Sequence, residues 1–107
     1  MTFTLDDLAA LIKSRRGDSA SSSYTKQLFD AGVPRISKKF GEEAFEAVIA
    51  AMEGDDKALT SEAADVLYHL LVLLEARNVA LADVVAELGR RTSQSGLAEK
   101  AARGAPK

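Results

Sequence analysis

A chain of 107 residues with a formal net charge of −2 has room for one hydrophobic core, and it lacks the basic excess that would mark nucleic acid as a partner. It is 47% hydrophobic and has no cysteine, which excludes a disulfide scaffold, zinc–thiolate sites and thiol catalysis and accords with a reducing cytoplasm. The opening Met-Thr-Phe-Thr-Leu-Asp-Asp has no secretory pattern, and the longest apolar run, Val66 to Leu74, is broken by His69 and far shorter than the roughly 20 residues that span a bilayer. One cytoplasmic domain over residues 1–107, with no membrane and no nucleic acid among its partners, is expected.

Helical periodicity dominates and no segment alternates like a strand, so the expected class is all-α, a bundle of four to five helices. Thr4 and Asp7 form a capping-box pattern ahead of the stripe Leu5, Leu8, Leu11, Ile12, and this helix should end near Arg16-Gly17. Residues 18–23 form a Ser-rich connector without an apolar anchor, suited to closing over a ligand. Ser22 or Ser23 then caps a short helix that Gly32 terminates. Pro34 suits the first turn of a third helix reaching about Glu53, where Gly54 stops it. A fourth should occupy about Asp56 to Arg77, with Asn78 as its stop, and a fifth about Leu81 to Arg91, with Leu81, Val84, Val85 and Leu88 on one side. Residues 92–107 read as a partly flexible tail without another helix.

Two carboxylate pairs stand out, Glu43-Ala-Phe-Glu46 on helix three and Glu62-Ala-Ala-Asp65 on helix four. Residues three apart project from one side of a helix, so each pair offers oxygen ligands to a hard cation, and an antiparallel hairpin can bring the pairs together. Mg²⁺ or Mn²⁺ held this way typically also holds phosphate oxygens, which points to metal-dependent phosphate chemistry. Glu42 adds a fifth acid. At about 100° per residue Arg35, Lys39, Glu42, Glu43 and Glu46 share a stripe, with Ile36, Phe40, Ala44, Ala47, Val48 and Ala51 as the core face opposite. Ile49 and Ala50 continue the acidic stripe, as suits a cleft floor.

Helix four is apolar nearly all round: Glu62, Asp65 and His69 share a side with Val66 and Leu73, while Leu67, Leu70, Leu71 and Leu74 fill the rest. A chain this short has little with which to cover such a helix, so a second subunit should complete the bundle, with the acids in a groove inside it. Acidic pairs are more often solvated faces, but solvation does not account for apolar flanks. His69 reads as a hydrogen-bonded core histidine, and Arg35, Lys38 and Lys39, about one turn from the acids, read either as surface charge or as phosphate contacts.

Ser23-Tyr24-Thr25, the run from Arg35 through Gly41-Glu42-Glu43 to Glu46, and the run from Ser61 through Ala64-Asp65-Val66-Leu67-Tyr68-His69 to Leu74 closely resemble the phosphoribosyl-ATP pyrophosphatase family. Arg91 to Lys100 is similar to its bacterial single-domain form. The wider group is the all-α nucleoside triphosphate pyrophosphatase superfamily, whose ExxE and ExxD signature matches Glu43/Glu46 and Glu62/Asp65.

The resemblance implies hydrolysis of phosphoribosyl-ATP to phosphoribosyl-AMP and pyrophosphate in histidine biosynthesis, with Mg²⁺ as cofactor and a homodimer as the unit. It implies Glu43, Glu46, Glu62 and Asp65 as metal ligands and Glu42 with Glu43 as catalytic, Glu42 either positioning water or trading places with a ligand. Arg35, Lys38 and Lys39 would offset triphosphate charge, and Tyr24, Thr25 and Lys26 would close from the substrate side. A house-cleaning pyrophosphatase of non-standard nucleotides would use the same acids, and a non-catalytic helical dimerisation module would use none.

Overall fold

The computed structural model describes residues 2–19, 23–93 and 96–104, and for residues 97–99 the backbone alone. Among the described residues six helices follow one another: α1 (Leu5–Arg15), α2 (Tyr24–Ala31), α3 (Val33–Met52), α4 (Asp56–Ala76), α5 (Leu81–Thr92) and α6 (Gly96–Ala102). There is no strand among the described residues, and no helix is long and apolar enough to cross a membrane.

Local chemistry sets the helix ends. Asp7 N–H donates to Thr4 Oγ1 and Thr4 N–H to Asp7 Oδ2, both at 3.0 Å, closing the expected capping box. Ser23 Oγ accepts from Lys26 N–H at 3.1 Å to start α2. The α3–α4 turn is the tightest construction. Gly54 takes φ +72°, Gly54 N–H donates to Ala51 C=O and Asp55 N–H to Ala50 C=O, a Schellman closure. Asp55 then caps α4 by accepting from Ala58 N–H at 3.0 Å, so one residue ends one helix and begins the next. Asn78, at φ +60°, closes α4 in the same way, with Asn78 N–H on Glu75 C=O and Val79 N–H on Leu74 C=O.

The α3–α4 hairpin is the spine, with α1 and α2 laid across one end of it. Ile12 of α1, Leu28 of α2, Ile36 of α3, and Leu71 and Val72 of α4 form the buried core there. The other end is bare: Phe45 and Met52 are 66% and 83% exposed, and Val48, Ile49 and Leu67 also face solvent. Helix α5 touches the body mainly through Leu81, and Val85 and Leu88 on its apolar side are exposed.

Two expectations need correction. Val48 and Ala51, assigned to the core face of α3, are exposed, and Ala50, assigned to the acidic side, is buried. Ile36, Glu43 and Ala50 lie on the packed side of α3, while Phe45, Val48, Ala51 and Met52 are exposed. On helix four Leu67 is exposed, and His69, Leu71 and Val72 are the buried residues. The tail beyond Thr92 contains α6, whose Ala, Leu, Glu and Lys content is good helix-forming material despite its lack of bulky core residues. Within the connector, positions 20–22 lie outside the described residues, as do positions 105–107 of the tail.

The radius of gyration is 16.1 Å, against about 13 Å for a compact chain of this length. The accessible surface is 7458 Å², roughly 1,700 Å² more than a folded monomer of this mass presents. The body is elongated and bears an exposed apolar patch at one end.

Candidate metal centre

Packing α3 against α4 brings carboxylates from both helices together. Glu43, Glu62 and Asp65 each offer an oxygen, and these three atoms lie within 4.8 Å of one another. Oxygen ligands of an octahedral cation bonded at about 2.1 Å stand about 3 to 4.2 Å apart, so small side-chain rotations would close this set on Mg²⁺ or Mn²⁺.

Glu62 Oε1 is buried without a hydrogen-bond partner among the described residues. Burial raises the pKa of Glu62, and the nearby charge of Glu46, a hydrogen bond with Glu43, and the charges of Glu43 and Asp65 add to the shift. A buried bare oxygen facing like charges is costly unless a proton or a cation satisfies it. The donor set therefore fits a hard divalent cation.

The fourth expected ligand, Glu46, stands outside the set of three. It shares with Glu62 a cavity of about 190 Å³, also lined by Glu53. Glu53 was not foreseen, although its spacing of seven residues from Glu46 is two turns of one face. Glu42 lies on the outer side, 3.5 Å from Lys39 Nζ, and Glu43 Oε2 is 3.8 Å from the same ammonium. Glu43 is the inward member, its side chain 13% exposed. Tyr24 is the largest influence raising the pKa of Lys39, against opposing desolvation, with Glu42 and Glu43 adding to it.

The remaining candidates sort by position. Arg35 and Lys38 are exposed on the first turns of α3. Lys26 Nζ donates to Asp30 Oδ1 at 2.7 Å on its own helix, away from the three acids. Thr25 is buried and hydrogen-bonded through Oγ1 to the Tyr68 hydroxyl, which ties α2 to α4.

His69 is the buried, hydrogen-bonded histidine the sequence suggests. Its Nδ1 is 2.8 Å from the Asp65 carbonyl oxygen, which can only accept, so Nδ1 carries the proton. Nε2, the other ring nitrogen, is 3.2 Å from the Tyr24 hydroxyl and hydrogen-bonded to it. One imidazole thus links Tyr24 of α2 to the turn of α4 that bears Asp65. Tyr68 packs edge-on against the same ring, with centroids 5.0 Å apart.

A cavity of about 440 Å³ at the far end of α4 contains none of these acids. It is bounded by Arg16, which donates to Glu75 Oε2 at 2.9 Å and stacks on Phe29. That corner fastens α1 to α4.

The fold and the centre together define an all-α protein that presents clustered carboxylates from a helical hairpin. A family model described as Phosphoribosyl-ATP pyrophosphohydrolase matches residues 5–92, and the chain belongs to that family. Phosphoribosyl-ATP pyrophosphatase of Methylobacterium nodulans is 58% identical over 105 residues, 98% of this chain and 98% of that protein. Those of Methylobacterium radiotolerans (59% over 101 residues, 94% of each chain) and Rhizorhabdus wittichii (57% over 103 residues, 96% of this chain and 97% of that one) are similarly near.

Proposed function

We propose that this chain hydrolyses phosphoribosyl-ATP between its α and β phosphates, releasing phosphoribosyl-AMP and pyrophosphate in histidine biosynthesis, with Mg²⁺ as cofactor and Mn²⁺ as the nearest substitute. The observation that carries the reading is the bare, buried Glu62 oxygen within a three-carboxylate cluster, in a member of this family. Glu43, Glu62 and Asp65 hold the cation, and Glu46 joins from across the cavity it shares with Glu62. A divalent cation supplies neutralisation of phosphate charge and makes pyrophosphate a better leaving group.

Glu42, paired with Lys39 beside this set, accepts the proton of the attacking water, either by itself or in concert with Glu43. Lys39 now lies against Glu42 and Glu43 as an internal counter-charge. In the complex it turns to the triphosphate, with Arg35 and Lys38 of the same helix beside it. Tyr24, held by His69, stands between α2 and the acids, and with Thr25 and Lys26 defines the substrate side.

A second copy of the chain completes the molecule: the exposed Phe45, Val48, Met52, Val85 and Leu88 and the excess surface support a homodimer. The absence of cysteine and the biosynthetic role support a cytoplasmic setting. A substrate panel tests the activity. Pyrophosphate release from phosphoribosyl-ATP should exceed that from dUTP, ITP and other nucleoside triphosphates by orders of magnitude. Comparable rates on the non-standard nucleotides would identify a house-cleaning enzyme, and no turnover of any of them a non-catalytic dimerisation module.

A further inference from the structure

Between α1, α2 and α4 lies a cavity of about 310 Å³ that the three acids do not line. Arg15 stands on one side, Ser23 and Thr25 on another and Tyr68 at the back, over apolar side chains of α1. Its polar groups are biased toward donation. Ser23 Oγ already accepts from Lys26 N–H, which leaves its own O–H to donate. Thr25 and Tyr68 share one hydrogen bond, which consumes one of their two hydroxyl protons and leaves the other available. Arg15 contributes the guanidinium fork; its bond to Asp18 Oδ2, at 3.2 Å, is a half-exposed ion pair of the kind that contributes little and yields readily to a better anion.

Two hydroxyl donors and a guanidinium around a hollow this size suit a sugar phosphate. The hollow is also close to the metal centre. Tyr24 lines it, and the hydroxyl of that residue reaches His69, whose other nitrogen binds the carbonyl of Asp65. A ligand held at both places must be an anion at each end.

We infer that this cavity is the subsite for the phosphoribosyl group on the base of the substrate, with Arg15 binding its 5-phosphate and Ser23, Thr25 and Tyr68 its ribose and phosphate oxygens. The inference rests on the proposed activity, since phosphoribosyl-ATP is a nucleoside triphosphate with a second phosphate-bearing ribose far from the reacting bond. It assigns selection against ATP itself to residues on α1, α2 and α4 that take no part in holding the cation. Asp18, the present partner of Arg15, is displaced when the phosphate binds.

Calorimetry with phosphoribosyl-AMP and with magnesium pyrophosphate, on the full chain and its Arg15→Gln and Tyr68→Phe variants, tests it. Arg15→Gln should weaken phosphoribosyl-AMP binding at least about tenfold, as expected for a lost charged hydrogen bond, and leave pyrophosphate binding unchanged. Arg15→Lys should recover part of the loss, and Tyr68→Phe should produce a smaller one. Equal affinity of phosphoribosyl-AMP for wild type and Arg15→Gln would overturn the subsite, and so would a parallel loss of both ligands. The pyrophosphate arm also reports a misfolded variant. Failure of the proposed activity would look different: wild-type protein would release no pyrophosphate from phosphoribosyl-ATP, whatever the variants bind.

Discussion

At Glu62 a proton and a cation compete for the same buried oxygen. Its pKa is raised, chiefly by burial and then by Glu46 and its other acidic neighbours. The metal-free protein therefore holds more protons on this group than the unfolded chain does. The stability it contributes is fully present below the unfolded carboxylate pKa and is lost as pH rises through the raised value. Glu62→Gln should stabilise the metal-free protein at neutral pH, and flatten that part of its stability profile, while reducing turnover by at least about a hundredfold. Denaturation in EDTA at several pH values, with parallel assays, checks both; a destabilised variant with near-normal turnover would contradict the assignment. Mg²⁺ affinity should in turn fall as pH drops below the raised pKa, with proton release on binding measurable in buffers of different ionisation enthalpy. The acid pairs themselves were legible because a three-residue spacing fixes a common side. Their ranking was not: that Glu43 and not Glu46 joins Glu62 and Asp65 depends on how α3 is rotated against α4, and spacing within one helix carries no such information. The tie from Thr25 to Tyr68, 43 residues apart, left no local signal either.

At the scale of elements, the helix ends are set by single residues with special backbone needs, and these were readable in advance. Gly54 sits at φ +72° with open space around it, so an added Cβ clashes with nothing and costs only backbone strain. Gly54→Ala should lower stability by about 1 kcal/mol, seen as a fall of several degrees in Tm. Asp55→Ala should cost a similar amount, about 1 kcal/mol, by removing the cap of α4. Unchanged melting in both would mean that the hairpin is held by packing alone. The orientation of α3 was misread for a physical reason. Periodicity says which residues share a face, but the usual rule that the apolar face turns inward assumes that the core lies within one chain. Here the packed side of α3 runs through Ile36, Glu43 and Ala50, between the acidic stripe and the apolar face, while Phe45 and Val48 are left exposed. Helix α6 was missed because it lacks a hydrophobic stripe, the signal on which α1, α3, α4 and α5 were found.

At the scale of the whole molecule, the elongated shape and the exposed apolar end support the proposed homodimer. Sedimentation should find a dimer at micromolar concentration. Phe45→Glu or Val48→Glu should shift it towards monomer and lower its thermal stability, because each places an unpaired charge in the interface. Leu73→Glu is a poorer probe, since Leu73 already packs on this chain's own core and its loss would unfold the protomer. A Phe45→Glu variant that remains fully dimeric would place the interface elsewhere. The most direct test of the central claim, that clustered acids on α3 and α4 carry out metal-dependent pyrophosphate release, is product analysis of phosphoribosyl-ATP hydrolysis in ¹⁸O-water across a Mg²⁺ titration. One equivalent of intact pyrophosphate should appear, only with Mg²⁺ or Mn²⁺ present, with the label in phosphoribosyl-AMP as attack at the α phosphorus requires. Orthophosphate as the primary product, or an equal rate in EDTA, would contradict the account.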